Sequence, residues 1–165
     1  MGHENQQAGQ HLFYAVAAAG HTGRRTHKNL AQAIRAAHRE NKRMIGYITV
    51  GTNDLPRATA FYDALFAEIG ARRIMEFERG LAWGSAMDKP GFCVMQPFNH
   101  EPACIGNGCM IALLMSSKEQ VDQVYAKALA LGGTDEGAPG QRGPGFYAGY
   151  FRDLDGNKLN AFFMG

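Results

Sequence analysis

Sliding the chain against itself by 63 residues brings Ile48 onto Ile111, Val50 onto Leu113, Phe61 onto Val124, Tyr62 onto Tyr125 and Gly70 onto Gly133. The identities are few, but local structure cues recur at the same offset, so the chain carries two copies of one unit. In the first copy, GYITV (Gly46 to Val50) reads as a β-rich strand. Asn53 or Asp54 then caps a helix with Pro56 in its first turn. Ala58, Phe61, Tyr62, Leu65, Phe66 and Ile69 recur at three and four and give one apolar stripe, which Gly70 stops. Three strands are predicted next, at Arg72 to Glu78, Leu81 to Met87 and Phe92 to Phe98.

The second copy repeats that order. Cys109 to Met115 is a predicted strand, and Ser117 with Gln120 makes a capping box. Val121, Val124, Tyr125, Ala128 and Leu129 form the stripe, ended by Gly132 and Gly133. A Gly/Pro-rich loop is expected from Gly137 to Gly145, then strands at Phe146 to Arg152 and Lys158 to Met164 around an Asp155-Gly156 turn. The fold class expected is α+β: two βαβββ repeats, about 44–100 and 107–165, whose curved mixed sheet surrounds a shared pocket with the helices outside.

The 165 residues, 45% of them hydrophobic, include no apolar run near the ~18 residues of a membrane span, so one soluble domain is expected. Charge divides unevenly. Met1 to Arg43 holds seven Lys or Arg against two Glu, and Met44 to Gly165 holds ten against thirteen acids. Residues 1–43 read as a basic extension that contributes nothing to the fold, with one short helix between Asn29 and Asn41 as the element it offers. Met44 opens the domain. His100 is its only imidazole, which excludes chemistry built on several histidines there. Cys93, Cys104 and Cys109 are odd in number and form no CxxC pair, which points to a reducing compartment and a cytoplasmic setting. Cys104 and Cys109 lie close enough in sequence to suggest a redox pair, but small buried or semi-buried hydrophobes are the expectation for them.

NDLPRATAFYDALF (Asn53 to Phe66), GNG (Gly106 to Gly108), ALGGTDEGAPG (Ala130 to Gly140) and the closing RDLDGNKLN (Arg152 to Asn160) occur in one order along the domain. Together they resemble the vicinal-oxygen-chelate superfamily, the glyoxalase, bleomycin-resistance and dioxygenase group, over essentially all of Met44 to Gly165. In metal-using members each repeat offers one ligand near the start of its first strand and one on its last. Carried over, those positions fall on Tyr47, Met110, Asn160, and Pro97 or its neighbour Gln96. A phenol with a pKa near 10 is a poor ligand, a thioether prefers soft copper(I), and Asn160 brings no charge. The resemblance therefore implies a domain without the family's metal set, and neither metal nor other cofactor is expected.

What the resemblance implies instead is a pocket lined by Tyr47, Gln96, Met110, Arg142, Tyr147 and Asn160. Arg142, in the expected loop over the pocket mouth, would clamp a carboxylate or phosphate. The aromatic side chains Trp83, Phe92, Phe98, Phe146, Tyr147 and Tyr150 are expected mostly in the core, the remainder favouring a flat or apolar guest with one acidic group. Glu76 and Glu78 share a strand face at period two, a pattern that fits a solvated face better than a catalytic pair. No phosphate-cradling glycine motif is present. The leading expectation is a homodimeric small-molecule-binding protein with no nucleic-acid or membrane partner and no assignable catalytic residue. The alternative is a glyoxalase-like lyase, or another enzyme of the group, with a divergent metal or metal-free site.

Overall fold

The computed structural model describes residues 44–165, so the basic extension and its expected helix lie outside the described residues. The first repeat runs β1 (Tyr47–Gly51), α1 (Leu55–Ala67), β2 (Arg72–Phe77), β3 (Gly80–Gly84) and β4 (Gly91–Met95). The second runs β5 (Ile111–Leu114), α2 (Lys118–Ala130), β6 (Thr134–Gly143), β7 (Phe146–Arg152) and β8 (Lys158–Met164). The βαβββ order expected from the repeat is therefore present twice.

Helix entry follows from side-chain oxygens that satisfy orphan backbone donors. Asp54 caps α1, accepting from the Arg57 N–H at 3.0 Å. Asn53, the other candidate, instead exchanges two hydrogen bonds with the Ala103 backbone, at 3.0 and 2.7 Å. Ser117 caps α2 and accepts from the Gln120 N–H at 3.2 Å. The Gln120 side chain reaches one residue further back than in a capping box, to the Ser116 N–H at 2.8 Å. The exit of α2 demands glycine. A Cβ on Gly133 would lie 2.7 Å from the Arg152 carbonyl oxygen and 2.8 Å from that of Ala128.

The strands form two four-stranded sheets, in the orders β1-β4-β3-β2 and β5-β8-β7-β6, and among the described residues no strand of one sheet pairs with the other. β1 runs parallel to β4 and β5 parallel to β8, while the other pairs are antiparallel. Each helix covers one face of its own sheet. Ile48 and Val50, with Leu81, Trp83, Phe92 and Val94, meet the α1 stripe of Phe61, Tyr62, Leu65 and Phe66. Phe151, Leu159 and Ala161 meet Val121, Val124 and Ala128 of α2, and all belong to one continuous core. The Tyr62 ring sits at its centre, 4.8 Å from Phe92, 5.2 Å from Phe61 and Phe66, and 5.8 Å from Trp83. Burying each such side chain stabilises the fold by about 1.5–3 kcal/mol.

Several sequence expectations need correction. The segment expected as a loop, Gly137 to Gly145, belongs mostly to β6, an edge strand whose register against β7 shifts three times. Glycine and proline mark these bulges, because Pro139 has no N–H to give the ladder and Gly137 takes φ +146°. β3 stops at Gly84 and β4 at Met95, short of Met87 and Phe98, which are exposed. Cys104 and Cys109 are exposed as well, and only Cys93 is buried.

The closing turn, read from sequence as a local device, ties the repeats together. Asp155 accepts from Thr52 Oγ1 at 2.7 Å and from the Asn53 N–H at 3.0 Å, at the entry to α1. Asn157 donates to the Gly51 carbonyl at 2.9 Å. Tyr62 donates its buried hydroxyl to Asp153 at 2.6 Å.

Candidate functional site

Strand alternation divides every sheet residue between the helix-covered face and the opposite, helix-free face. Ile48 and Val50 enter the core, so Tyr47 and Thr49 turn away from α1, and Tyr47 is 70% exposed. In the second sheet Leu159 and Ala161 enter the core, which turns Asn160 and Phe162 to the helix-free face. Tyr150 lies directly opposite Asn160 and Ala148 directly opposite Phe162, on that same face.

The residues expected to line one pocket distribute as follows. Tyr47 stands on β1 of the first sheet, and Gln96 follows β4, exposed, its N–H donating to the Arg79 carbonyl at 2.8 Å. Met110, 42% exposed, precedes β5 of the second sheet. Arg142 stands on β6 and Asn160 on β8. Tyr147 belongs to the other side. Its hydroxyl donates to Asp122 of α2 at 2.9 Å, which lifts the phenol above its usual pKa, and its ring packs on the core. Arg142 and Asn160 are thus brought near one another around Tyr150, while Tyr47 and Gln96 belong to the first sheet.

Around Tyr150 the helix-free face is cationic. The Arg142 guanidinium carbon lies 5.5 Å from the Tyr150 ring centroid and Lys158 Nζ lies 5.7 Å from it. Arg142 Nη2 donates to the Ala138 carbonyl at 2.6 Å. Glu136 is paired with Lys158 at 2.9 Å and with Arg152, and those two donors hold its carboxyl below the usual range. Arg152 also donates to the Gly156 carbonyl at 2.7 Å, which fixes it beside the closing turn. No carboxylate of the described residues pairs with Arg142.

Asn160 is the anomaly of this face. It is 1% exposed, and its Oδ1 has no hydrogen-bond partner among the described residues. Leaving such an acceptor buried and unpaired costs about 1–3 kcal/mol. Sequence reading offered Tyr150 only among the aromatic side chains and did not name Lys158 or Glu136 beside it. The signal for the first two was present. A hairpin centred on the Asp155 turn sets Arg152 against Lys158, and counting back two residues sets Tyr150 against Asn160.

The metal that the resemblance brings in can be tested on donor chemistry. A mostly neutral phenol at Tyr47, a soft thioether at Met110 and an amide carbonyl at Asn160 that brings no charge make a poor donor set for a divalent ion, with neither carboxylate nor imidazole among them. Among the described residues no three His, Cys, Asp or Glu side chains form a group that could hold a metal ion. By donor chemistry, the residues at the positions that the resemblance assigns fit such an ion poorly.

Comparisons with known proteins bear on the fold and the family. A glyoxalase/bleomycin resistance protein from Albidiferax ferrireducens T118 is 36% identical, covers 73% of this chain and 98% of its own, and superposes with a TM-score of 0.67. The fosfomycin resistance protein FosX from Listeria monocytogenes, 23% identical over 73% of this chain and 92% of its own, shares the fold at a TM-score of 0.56. A lactoylglutathione lyase from Agrobacterium tumefaciens does so at 0.55, with 20% identity over 73% of this chain and 92% of its own. Among curated proteins, none matches. The profile of one family spans residues 44–161, the two repeats together, and by that match and the likeness to the Albidiferax protein this chain belongs to the Glyoxalase/Bleomycin resistance protein/Dioxygenase superfamily.

Proposed function

We propose that this chain is a small-molecule-binding member of the superfamily that works without a metal ion, as a cytoplasmic homodimer. The observation that carries the reading is Asn160: a neutral amide stands where the family resemblance puts a carboxylate ligand, and its buried Oδ1 is left without a donor. A guest that supplies that donor removes the cost of the unpaired acceptor. Tyr47 and Met110 add apolar area at about 25 cal/mol per Å² covered. Gln96 offers an amide and Arg142 a charge. Tyr47, Met75 and Phe77 in the first repeat and Met110, Leu114 and Met164 in the second leave large apolar side chains exposed. A second copy that covers them would enclose the guest, which supports the homodimer.

The test combines metal analysis with turnover. The purified protein is expected to hold no stoichiometric divalent ion and to lack hemithioacetal isomerisation, epoxide opening and catechol cleavage with added nickel, manganese or iron. One tightly held ion per protomer, or turnover abolished by a chelator, would replace binding with a lyase-like activity on a divergent site.

A further inference from the structure

We propose that the helix-free face of the second sheet recognises an organic oxyanion carrying a hydrogen-bond donor next to its charge. Arg142 is the anion clamp, Tyr150 its platform, and Asn160 the acceptor that reads the donor. The inference rests on the helix-free face being the ligand surface and adds the chemical class of the ligand.

Arg142 lies over the Tyr150 ring, its Cζ 5.5 Å from the centroid, and keeps N–H donors for a planar carboxylate or a phosphate oxygen pair. One nitrogen is already committed to the Ala138 carbonyl, which fixes the fork in place. Lys158, also near the ring, adds positive charge, while Glu136 is neutralised by Lys158 and Arg152. The face around Tyr150 therefore carries net positive charge from Arg142, Arg152 and Lys158 against one carboxylate. Directly across the strand pair from Tyr150 stands Asn160, whose side chain projects on the same face, with the unpartnered Oδ1. Across such a pair Cβ atoms lie about 4.5–5.5 Å apart, so one small molecule that reaches the buried Oδ1 would span both groups. An acceptor beside a cation selects an oxyanion with a neighbouring hydroxyl or N–H. A bare anion leaves Oδ1 unpaired, and a neutral alcohol leaves the guanidinium edge empty.

The experiment is an NMR titration of the full chain with four probes: meta-hydroxybenzoate, benzoate, meta-hydroxybenzyl alcohol and phenyl phosphate. Meta-hydroxybenzoate is expected to bind tighter than benzoate and benzoate tighter than the alcohol, with shifts centred on Arg142, Tyr150 and the Asn160 side-chain amide. Phenyl phosphate against benzoate decides whether the oxyanion is a phosphate ester or a carboxylate. Arg142→Gln, at an exposed position that tolerates the change, is expected to weaken both benzoates by about tenfold or more and to leave the alcohol unchanged. Arg142→Lys keeps the charge without the fork and is expected to recover only part of that loss. Equal anion binding by Arg142→Gln and the parent chain, or shifts centred on the first sheet, would overturn the assignment. Alcohol binding on this face as tight as that of the benzoates would overturn the oxyanion class and leave small-molecule binding standing. If no probe binds at millimolar concentration, the oxyanion assignment is wrong, and the broader reading then depends on the metal and turnover measurements.

Discussion

Tyr62 and Asp153 join the two repeats through one short buried hydrogen bond, and burial first, then the facing carboxylate, push the Tyr62 phenol well above its usual pKa. Asp153 also accepts from the backbone N–H groups of Asp155 and Asn157, at 3.0 and 2.8 Å, and from Asn157 Nδ2 at 2.8 Å. Tyr62→Phe removes one bond and leaves the carboxylate its other donors, so a loss of about 1–2 kcal/mol is expected. Asp153→Ala strands several donors at once and is expected to cost about 3 kcal/mol or more, read by urea denaturation of both variants. Equal losses would mean that the carboxylate is not the hub of the joint. Acid behaviour follows from Asp63, whose pKa is lowered chiefly by the Arg73 hydrogen bond, against an upward push from burial that is next in size, and further by the Trp83 N–H at 2.8 Å. A carboxyl depressed in the folded state contributes stability that is present above its unfolded pKa, near 4, and lost as pH falls through the folded value. Thermal melts from neutral to acidic pH should drop less steeply at the acid end for Asp63→Asn than for the parent chain. An unchanged acid slope would show that Asp63 does not set the acid stability.

At the scale of elements, the helices were the most legible part of the sequence because their signals are local. The stripe through Phe61, Tyr62, Leu65 and Phe66 and the one through Val121, Val124 and Ala128 are both buried as read. β6 was not legible. Its glycines and Pro139 argue for a loop by local rules, and only the partner strand β7 and the bulges between them make a strand of it. The Asp155 turn was read correctly as a turn, but its bonds to Thr52, Asn53 and Gly51 span more than a hundred residues, and no local pattern announces them. For the same reason Arg142 and Asn160 could be named singly, while Tyr150 as their common neighbour depended on the strand register. The exit of α2 offers a direct check. Gly133→Ala forces a methyl against two backbone carbonyls, and a loss of about 1–3 kcal/mol is expected in the same urea experiment. A neutral outcome would show that the β6 entry can shift to make room.

At the scale of the molecule, two like units share one core on the helix side, and among the described residues no helix packs on the opposite faces of their sheets. The family match covers both units, and among the described residues no helix is long and apolar enough to cross a membrane. The homodimer reading assigns the exposed Tyr47, Phe77 and Leu114 to contact between copies. Sedimentation should give twice the chain mass at micromolar concentration, and Leu114→Glu should shift it toward the monomer. A monomer that keeps its fold and binds the aromatic probes unchanged would set the homodimer aside.

The central claim is that Asn160 and its neighbours hold an organic guest without a chelated ion. Calorimetric titration of the full chain with nickel, zinc, manganese and ferrous ions tests it most directly. No saturable heat is expected at micromolar concentration in the parent chain and none in Asn160→Ala. A one-to-one isotherm with any of these ions, lost on replacing Asn160, would contradict it.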